Sequence, residues 1–284
     1  MWLLIAVTLL WAFSFSLIGV YLAGQVDHWF SVFTRTLLAA CVFLPFLKLA
    51  GTSWSLRIKL MLTGAIQLGI MYGFYYHSFL YLSVPEVLLF TVMTPIYVTL
   101  VNDILDRCLH MNFLLAATVA TAGAVAIRYD GVDSGFVTGF LLVQGANSCF
   151  AIGQVVYKRI MQHQKVAQHT VFGWFFIGAL LVATTFVIAF GNVEKLPTST
   201  TQWAVLVYLG IIASGLGYFG WNKGATMVDV GTLAVMNNLL IPAGIIVNVV
   251  IWNRDADIFR LLLGGFIILL ALLINRRFAE RSNR

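Results

Sequence analysis

Two adjacent asparagines, Asn237 and Asn238, stand inside a long apolar stretch of the sequence. A side-chain amide carries two N–H donors and a carbonyl acceptor, so this pair can hydrogen-bond a polar group that both donates and accepts. Buried amides are costly unless they are paired, and at least one of the two should therefore face the protein interior. There it could bind a ligand, or it could hydrogen-bond a neighbouring helix.

Other polar groups lie inside apolar stretches in the same way. Gln144 and Asn147 are one helical turn apart, so they share a face and are candidates for the same cavity. Packing between helices is the alternative for each of them. Arg35 is a cation that could attract an anion, but buried charges commonly pair within the protein. We expect a structural role for Arg35, which would cap carbonyl groups or pair with a carboxylate. Glu86 is the expected partner, or else a proton carrier.

Three aromatic residues could supply an apolar wall for such a site. Tyr72 and Tyr218 occupy equivalent positions of an internal repeat, each after a glycine-containing stretch that lets helices approach closely. Trp174 lies within an apolar stretch, away from the interfacial zone where tryptophan is usual in membrane proteins. Trp221 lies nearer the end of its stretch, and we expect it at the membrane surface.

Membrane-spanning helices must position these residues. Hydrophobic residues make up 61% of the 284-residue chain and charged residues 10%, whereas a soluble domain has about 25% charged residues. Ten apolar stretches each have roughly the 17–25 residues needed to cross a bilayer as a helix. They lie near residues 2–22, 30–50, 57–80, 85–105, 111–128, 136–157, 169–191, 203–222, 230–252 and 258–276. The sequence thus predicts an all-α membrane protein with ten transmembrane helices, in contact with the lipid bilayer.

The sequence also repeats itself. The stretch from Gly64 through Tyr72 to Pro95 aligns with the stretch from Gly210 through Tyr218 to Pro242, at an offset of 146 or 147 residues. We therefore expect two five-helix repeats, residues 1–133 and 134–284. A repeat with an odd number of spans inserts its second copy upside down, and inverted repeats are typical of secondary transporters. We expect a central cavity lined chiefly by spans 3, 4, 8 and 9, with spans 1, 2, 6 and 7 contributing.

Loop charges predict the orientation. Twelve basic residues fall on one side of the ten-span arrangement and only four on the other, so the positive-inside rule places both termini in the cytoplasm. The first group is Lys48, Arg57, Lys59, Arg107, Lys158, Arg159, Lys165, Lys223, Arg276, Arg277, Arg281 and Arg284. The net charge of +6 is accounted for by these loops. No basic stripe remains that would indicate nucleic-acid binding.

The sequence contains no signature of a bound cofactor or metal. The three cysteines have neither metal-binding nor redox spacing, and Cys41 and Cys149 are expected to pack as small hydrophobic residues. There is no phosphate-binding loop, dinucleotide fingerprint or zinc motif. ATP-driven transport by this chain alone is therefore not expected. An enzyme lacks support, since no nucleophile, base or metal cluster is evident.

Short motifs in order along the chain resemble the ten-helix, EamA-type branch of the drug/metabolite transporter superfamily. They are Trp11-Ala-Phe-Ser-Phe-Ser16, Arg35, Pro95 and Pro242. Within that branch, six segments are similar to the bacterial inner-membrane biotin transporters. These are Gln67–Tyr72, Leu89–Pro95, Ile127–Asp130, Tyr157–Arg159, Ala213–Asn222 and Met236–Asn238. The resemblance implies biotin uptake by alternating access across the cytoplasmic membrane.

The resemblance also gives the candidate site a ligand. Biotin has a ureido ring with two N–H groups and a carbonyl, an apolar body, and a carboxylate. Asn237 or Asn238 would hydrogen-bond the ureido ring, with Gln144 and Asn147 next in line. Tyr72, Tyr218 and Trp174 would pack on the apolar part, and Arg35 is the cation that could meet the carboxylate. Two alternatives stay open: an exporter of amino acids or related metabolites, and a membrane enzyme or accessory subunit.

Overall fold

A computed structural model describes residues 1–107, 134–252 and Phe266, and their regular secondary structure is helical, without strands. Twelve α-helices are numbered here in chain order. They are α1 (Trp2–Leu17), α2 (His28–Phe43), α3 (Trp54–Gly64), α4 (Met71–Ser78), α5 (Val84–Phe90), α6 (Thr94–Leu105), α7 (Ser134–Gln162), α8 (Phe172–Phe190), α9 (Thr200–Val207), α10 (Gly217–Ala225), α11 (Val230–Asn238) and α12 (Leu240–Trp252).

Six helical segments of the described residues are long and apolar enough to cross a membrane. They are Trp2–Leu22, His28–Phe46, Val84–Leu105, Ser134–Gln162, Phe172–Phe190 and Thr200–Ala225. These match predicted spans 1, 2, 4, 6, 7 and 8, which confirms an all-α, multi-pass membrane protein. Predicted spans 3 and 9 are also helical, as α3–α4 and α11–α12. Predicted spans 5 and 10 lie outside the described residues, apart from Phe266.

Polar side chains fix where several helices begin. Asp27 and Ser53 accept hydrogen bonds from the backbone N–H groups of Phe30 and Leu56, and so cap α2 and α3. Asp229 caps α11 by accepting from the hydroxyl and backbone N–H of Thr232. These hydrogen bonds lower the pKa of the Asp229 carboxyl.

Glu86 belongs to a capping box. Its carboxylate accepts hydrogen bonds from the backbone N–H of Ser83 at 2.8 Å and from the Ser83 hydroxyl at 2.7 Å. This reciprocal arrangement starts α5. The predicted pairing of Glu86 with Arg35 is therefore wrong, because the carboxylate serves the N-terminus of its own helix.

Departures from regular α-helix recur at matching places in the two halves. Helices α3 and α9 start 146 residues apart, as do α5 and α11. A π-helical segment, Ala65–Ile70, follows α3, and another, Tyr208–Leu216, follows α9. A 3₁₀ turn at Thr91–Met93 separates α5 from α6, and Leu239 separates α11 from α12. π-Helical insertions are frequent at functional sites.

Pro95 lies just after the 3₁₀ turn that separates α5 from α6. It lies in the first turn of α6, where the missing N–H has no intrahelical partner to lose.

Helix α3 packs closely on α8 through glycines. A Cβ on Gly64 would stand 1.8 Å from the carbonyl oxygen of Phe175, and one on Gly178 would stand 1.8 Å from that of Met61. Small residues allow this backbone approach between membrane helices.

Candidate functional site

A cavity of about 90 Å³ lies among the helices and contains five of the eight predicted site residues. Those five are Arg35, Tyr72, Asn147, Tyr218 and Asn237. The other lining residues are Trp11, Ser14, Phe15, Ile18, Met71, Tyr75, Thr91, Thr94, Ala146, Phe150 and Leu240. Most of the described lining comes from predicted spans 1, 3 and 6. Predicted span 8 contributes Tyr218, and span 1 contributes more than the sequence had indicated.

Arg35 places a positive charge at the cavity wall. Its Nε donates to the Ser214 hydroxyl at 2.9 Å, and its guanidinium donates to the Tyr76 hydroxyl at 2.8 Å. The guanidinium carbon lies 4.0 Å from the centre of the Tyr72 ring, a cation–π contact. Within residues 1–107 and 134–252, no carboxylate pairs with this side chain. The cation is buried, so a bound anion would supply the missing opposite charge.

Hydroxyl groups surround the same cation. The Tyr72 hydroxyl lies 2.9 Å from the Ser214 hydroxyl, and both residues are buried. Ser214 lies in the second π-helical segment, which brings it beside Arg35 of α2. Sequence reasoning did not single out Ser214, although it stands inside one of the segments that carry the family resemblance. Together these groups form a set of hydrogen-bond donors suited to an anion.

Asn237 presents its amide at another part of the wall. Its Nδ2 donates to the Leu233 carbonyl at 2.8 Å and to Gln154 Oε1 at 3.3 Å, and its Oδ1 accepts from Gln154 Nε2 at 3.4 Å. Gln154 was also missed by sequence reasoning. It lies seven residues after Asn147, about two helical turns, and so on the same face of α7. That spacing was a usable signal.

Asn147 is held by a similar set of contacts. Its Nδ2 donates to the Phe90 carbonyl at 2.9 Å and to Gln144 Oε1 at 3.1 Å. The Thr94 hydroxyl lies 3.1 Å from Asn147 Oδ1. Gln144 is not part of the cavity lining. Its Nε2 is buried and has no hydrogen-bond partner among the residues that the structure describes.

Aromatic rings form one side of the cavity. The Trp11 ring lies 5.8 Å from Phe150 and 5.1 Å from Tyr218, measured between centroids. The Trp11 indole donates to the Ala213 carbonyl at 2.8 Å, which fixes the ring in place. Tyr72 lies edge-on to Tyr218 at 5.8 Å. These faces suit the apolar body of an organic ligand.

Two further predicted site residues, Trp174 and Asn238, are not part of the cavity lining, and neither is Trp221. Trp174 is in the first turn of α8, beside the Arg57 guanidinium at 5.1 Å, and does not line the cavity. Asn238 does not line it either, and its buried Oδ1 has no hydrogen-bond partner in the described part of the chain. The expectation that Trp221 is interfacial is wrong. It is 1% exposed, because Trp11 and Phe150 pack against it, and it donates to Gln154 at 3.0 Å.

The arrangement can bind an amphipathic organic anion. It offers a cation with hydroxyl donors, amide groups, and aromatic walls within one cavity. The described residues include no group of three or more histidine, cysteine, aspartate or glutamate side chains that could hold a metal ion. The groups that line the cavity can recognise a ligand by hydrogen bonds, charge and apolar contact.

The sequence is similar to those of known transporters. The model of the EamA-like transporter family matches residues 137–276. A "Probable biotin transporter" of Pseudomonas aeruginosa is 53% identical over 96% of both chains. A "Biotin transporter" of Salmonella typhimurium is 50% identical over 99% of this chain and 94% of that protein. The "Biotin transporter" of Escherichia coli is 50% identical over 99% and 95%.

A solved crystal structure of another protein shares the fold. It superposes with a TM-score of 0.67 at 18% sequence identity, covering 99% of this chain and 98% of the other. At that identity the likeness concerns the fold alone.

Proposed function

The chain belongs to the EamA-like transporter family and is a membrane transporter, and from this premise we propose that it carries biotin into the cell. The observation that carries the proposal is the cavity that combines Arg35 with Asn147, Asn237 and aromatic walls. Biotin has a carboxylate for the cation, ureido polar groups for the amides and an apolar body for the rings. The names of relatives at about half sequence identity agree.

Transport requires the cavity to change shape. Its volume of about 90 Å³ is well below the roughly 300–1,000 Å³ of typical small-molecule sites. The helix interruptions at Thr91–Met93 and Leu239 border the cavity, which is lined by Thr91 and Leu240. Broken helices at the substrate site are typical of transporters that work by alternating access. We therefore assign the widening of the cavity to these interruptions.

The full arrangement is proposed to be two inverted five-helix repeats, residues 1–133 and 134–284. The matched helix starts and the matched π-helical segments support a duplication. An odd number of spans in each repeat makes the halves opposite in orientation. Such a pair of repeats would place the polar residues of the cavity, Arg35, Asn147 and Asn237, near the middle of the membrane.

The protein is proposed to lie in the bacterial inner membrane with both termini in the cytoplasm. The positive-inside rule motivates this orientation. A reporter that is active only in the cytoplasm should be active when fused after Arg284. The matched control is the same reporter inserted after Glu194, in a loop predicted to be external, where it should be inactive. An external reporter at Arg284 would contradict the orientation.

Labelled biotin should accumulate in cells that express this chain. Unlabelled biotin should compete, whereas leucine and phenylalanine should not, because they lack a ureido group to pair with the cavity amides. Growth of a biotin-requiring, transport-deficient bacterium at limiting biotin should also be restored, which tests the direction of transport. Competition by the amino acids and none by biotin would instead support the exporter.

A further inference from the structure

The two asparagines that line the cavity donate all their side-chain N–H groups to other groups of the protein. Asn237 Nδ2 donates to the Leu233 carbonyl and to Gln154 Oε1, and Asn147 Nδ2 donates to the Phe90 carbonyl and to Gln144 Oε1. A primary amide has two N–H donors, so none is left in either residue. Backbone carbonyls can only accept, and they therefore require the nitrogen, and not the oxygen, of each amide at these places.

Both carbonyl oxygens retain accepting capacity. Among the described residues, Asn237 Oδ1 has one long hydrogen bond, 3.4 Å from Gln154 Nε2. Asn147 Oδ1 has the Thr94 hydroxyl at 3.1 Å, but that single proton also has the Thr91 carbonyl at 2.6 Å. A carbonyl oxygen has two lone pairs, so each asparagine can accept at least one further N–H.

We propose that Asn147 and Asn237 act on the ligand as acceptors only, so the site selects molecules that present two N–H donors. This inference rests on the proposed function and deepens it. The two N–H groups of the biotin ureido ring are the donors that these oxygens would bind. Other carboxylates with an apolar chain but without N–H donors would leave the second lone pair of each oxygen without a donor, which is unfavourable in a buried site.

Trp221 and Gln154 help to fix the orientation of the Asn237 amide from outside the cavity. An indole nitrogen can only donate, so Trp221 Nε1, 3.0 Å from Gln154 Oε1, holds the oxygen of Gln154 at that position. The same oxygen accepts from Asn237 Nδ2. Gln154 and Trp221 are almost fully buried and are not part of the cavity lining. They are positioning residues for the recognition of the ligand.

Inhibition of biotin uptake by modified biotins tests the acceptor role. The two compounds methylated on one or the other ureido nitrogen each lose one donor, and each should compete at least about 10-fold more weakly than biotin. Biotin sulfone is the matched control, since it adds bulk elsewhere but keeps both N–H groups, and it should compete much better than either. Equal competition by the methylated compounds and biotin would overturn the inference. Absence of biotin uptake by the unmodified protein would instead overturn the proposed function.

Substitution of Gln154 tests the positioning role. The readout is the ratio of half-inhibiting concentrations of methylated biotin and biotin, which a change in protein amount does not move. Gln154→Leu should reduce this ratio at least about threefold, whereas Gln154→Glu, whose protonated carboxyl keeps an acceptor and a donor, should retain it. Trp221→Phe keeps the ring but removes the N–H donor, and it should also reduce the ratio. An unchanged ratio in both Gln154→Leu and Trp221→Phe would overturn this assignment.

Discussion

Replacing Arg35 with glutamine should raise the biotin concentration needed for half-maximal uptake by about 30-fold to several thousand-fold. The range follows from the loss of about 2–5 kcal/mol when one partner of a buried, hydrogen-bonded charge pair is removed. Arg35 is buried at the cavity wall, and no carboxylate of the described residues pairs with it. Initial uptake of labelled biotin against concentration measures the effect.

The amide of biotin separates charge recognition from a general structural defect. This compound is uncharged at the position of the carboxylate but otherwise keeps the ligand intact. It should compete much more weakly than biotin with the unmodified protein, and the two should become similar with Arg35→Gln. Arg35→Lys keeps the charge but loses the planar donors that reach Ser214 and Tyr76, so an intermediate result is expected. An unaltered preference for biotin in Arg35→Gln, at equal membrane levels, would refute the anion site.

The helices of the described residues were largely predictable from hydropathy. The predicted stretch at 85–105 corresponds to Val84–Leu105, and that at 203–222 to Thr200–Ala225. Burial in lipid demands continuous apolar helices, so composition alone locates them. The π-helical segments were not predictable, because shifting a hydrogen bond by one residue leaves the apolar character of the stretch unchanged. Depth in the membrane was therefore easier to predict than the side that each residue faces.

The failures at individual residues have separate causes. Trp221 lies only four residues before the end of α10, which favoured an interfacial position, but lateral packing by Trp11 and Phe150 buries it. The sequence Ser83-Val-Pro-Glu86 contained the capping signature that commits the Glu86 carboxylate to its own helix. Trp174 was placed by its distance from the ends of a predicted stretch, yet α8 starts two residues before it.

The sequence identified the amides of Asn237 and Asn238 as polar groups in apolar surroundings, but it did not reveal the role of each. Adjacent residues of a helix point about 100° apart, so only one of Asn237 and Asn238 was expected to face the cavity. Sequence gave no means of choosing between them. The structure places Asn237 at the cavity wall and Asn238 outside it. The choice depends on how α11 is rotated against its neighbours, which is a property of the packed helices.

Asn237→Leu should therefore raise the half-saturating biotin concentration about 5- to 150-fold. The estimate corresponds to the roughly 1–3 kcal/mol that is lost when a buried hydrogen-bonding group of the ligand is left unpaired. Leucine has a similar size but offers no acceptor to the ureido ring. It also removes the contacts to Gln154 and Leu233, so membrane levels of the variant must be measured by immunoblot.

Asn238→Leu is the matched control for this prediction, because it makes the same change at the next position of the same helix. Within residues 1–107 and 134–252, the buried Oδ1 of Asn238 has no hydrogen-bond partner. Replacing this side chain with an apolar group therefore removes no described contact of that oxygen and should change biotin affinity little. Asn147→Leu should resemble Asn237→Leu, since both residues line the cavity. If Asn237→Leu binds biotin with unaltered affinity while Asn238→Leu binds it weakly, α11 must present its other face to the ligand. If neither variant is altered, the pair is structural and the ureido contact must come from Asn147 and its neighbours.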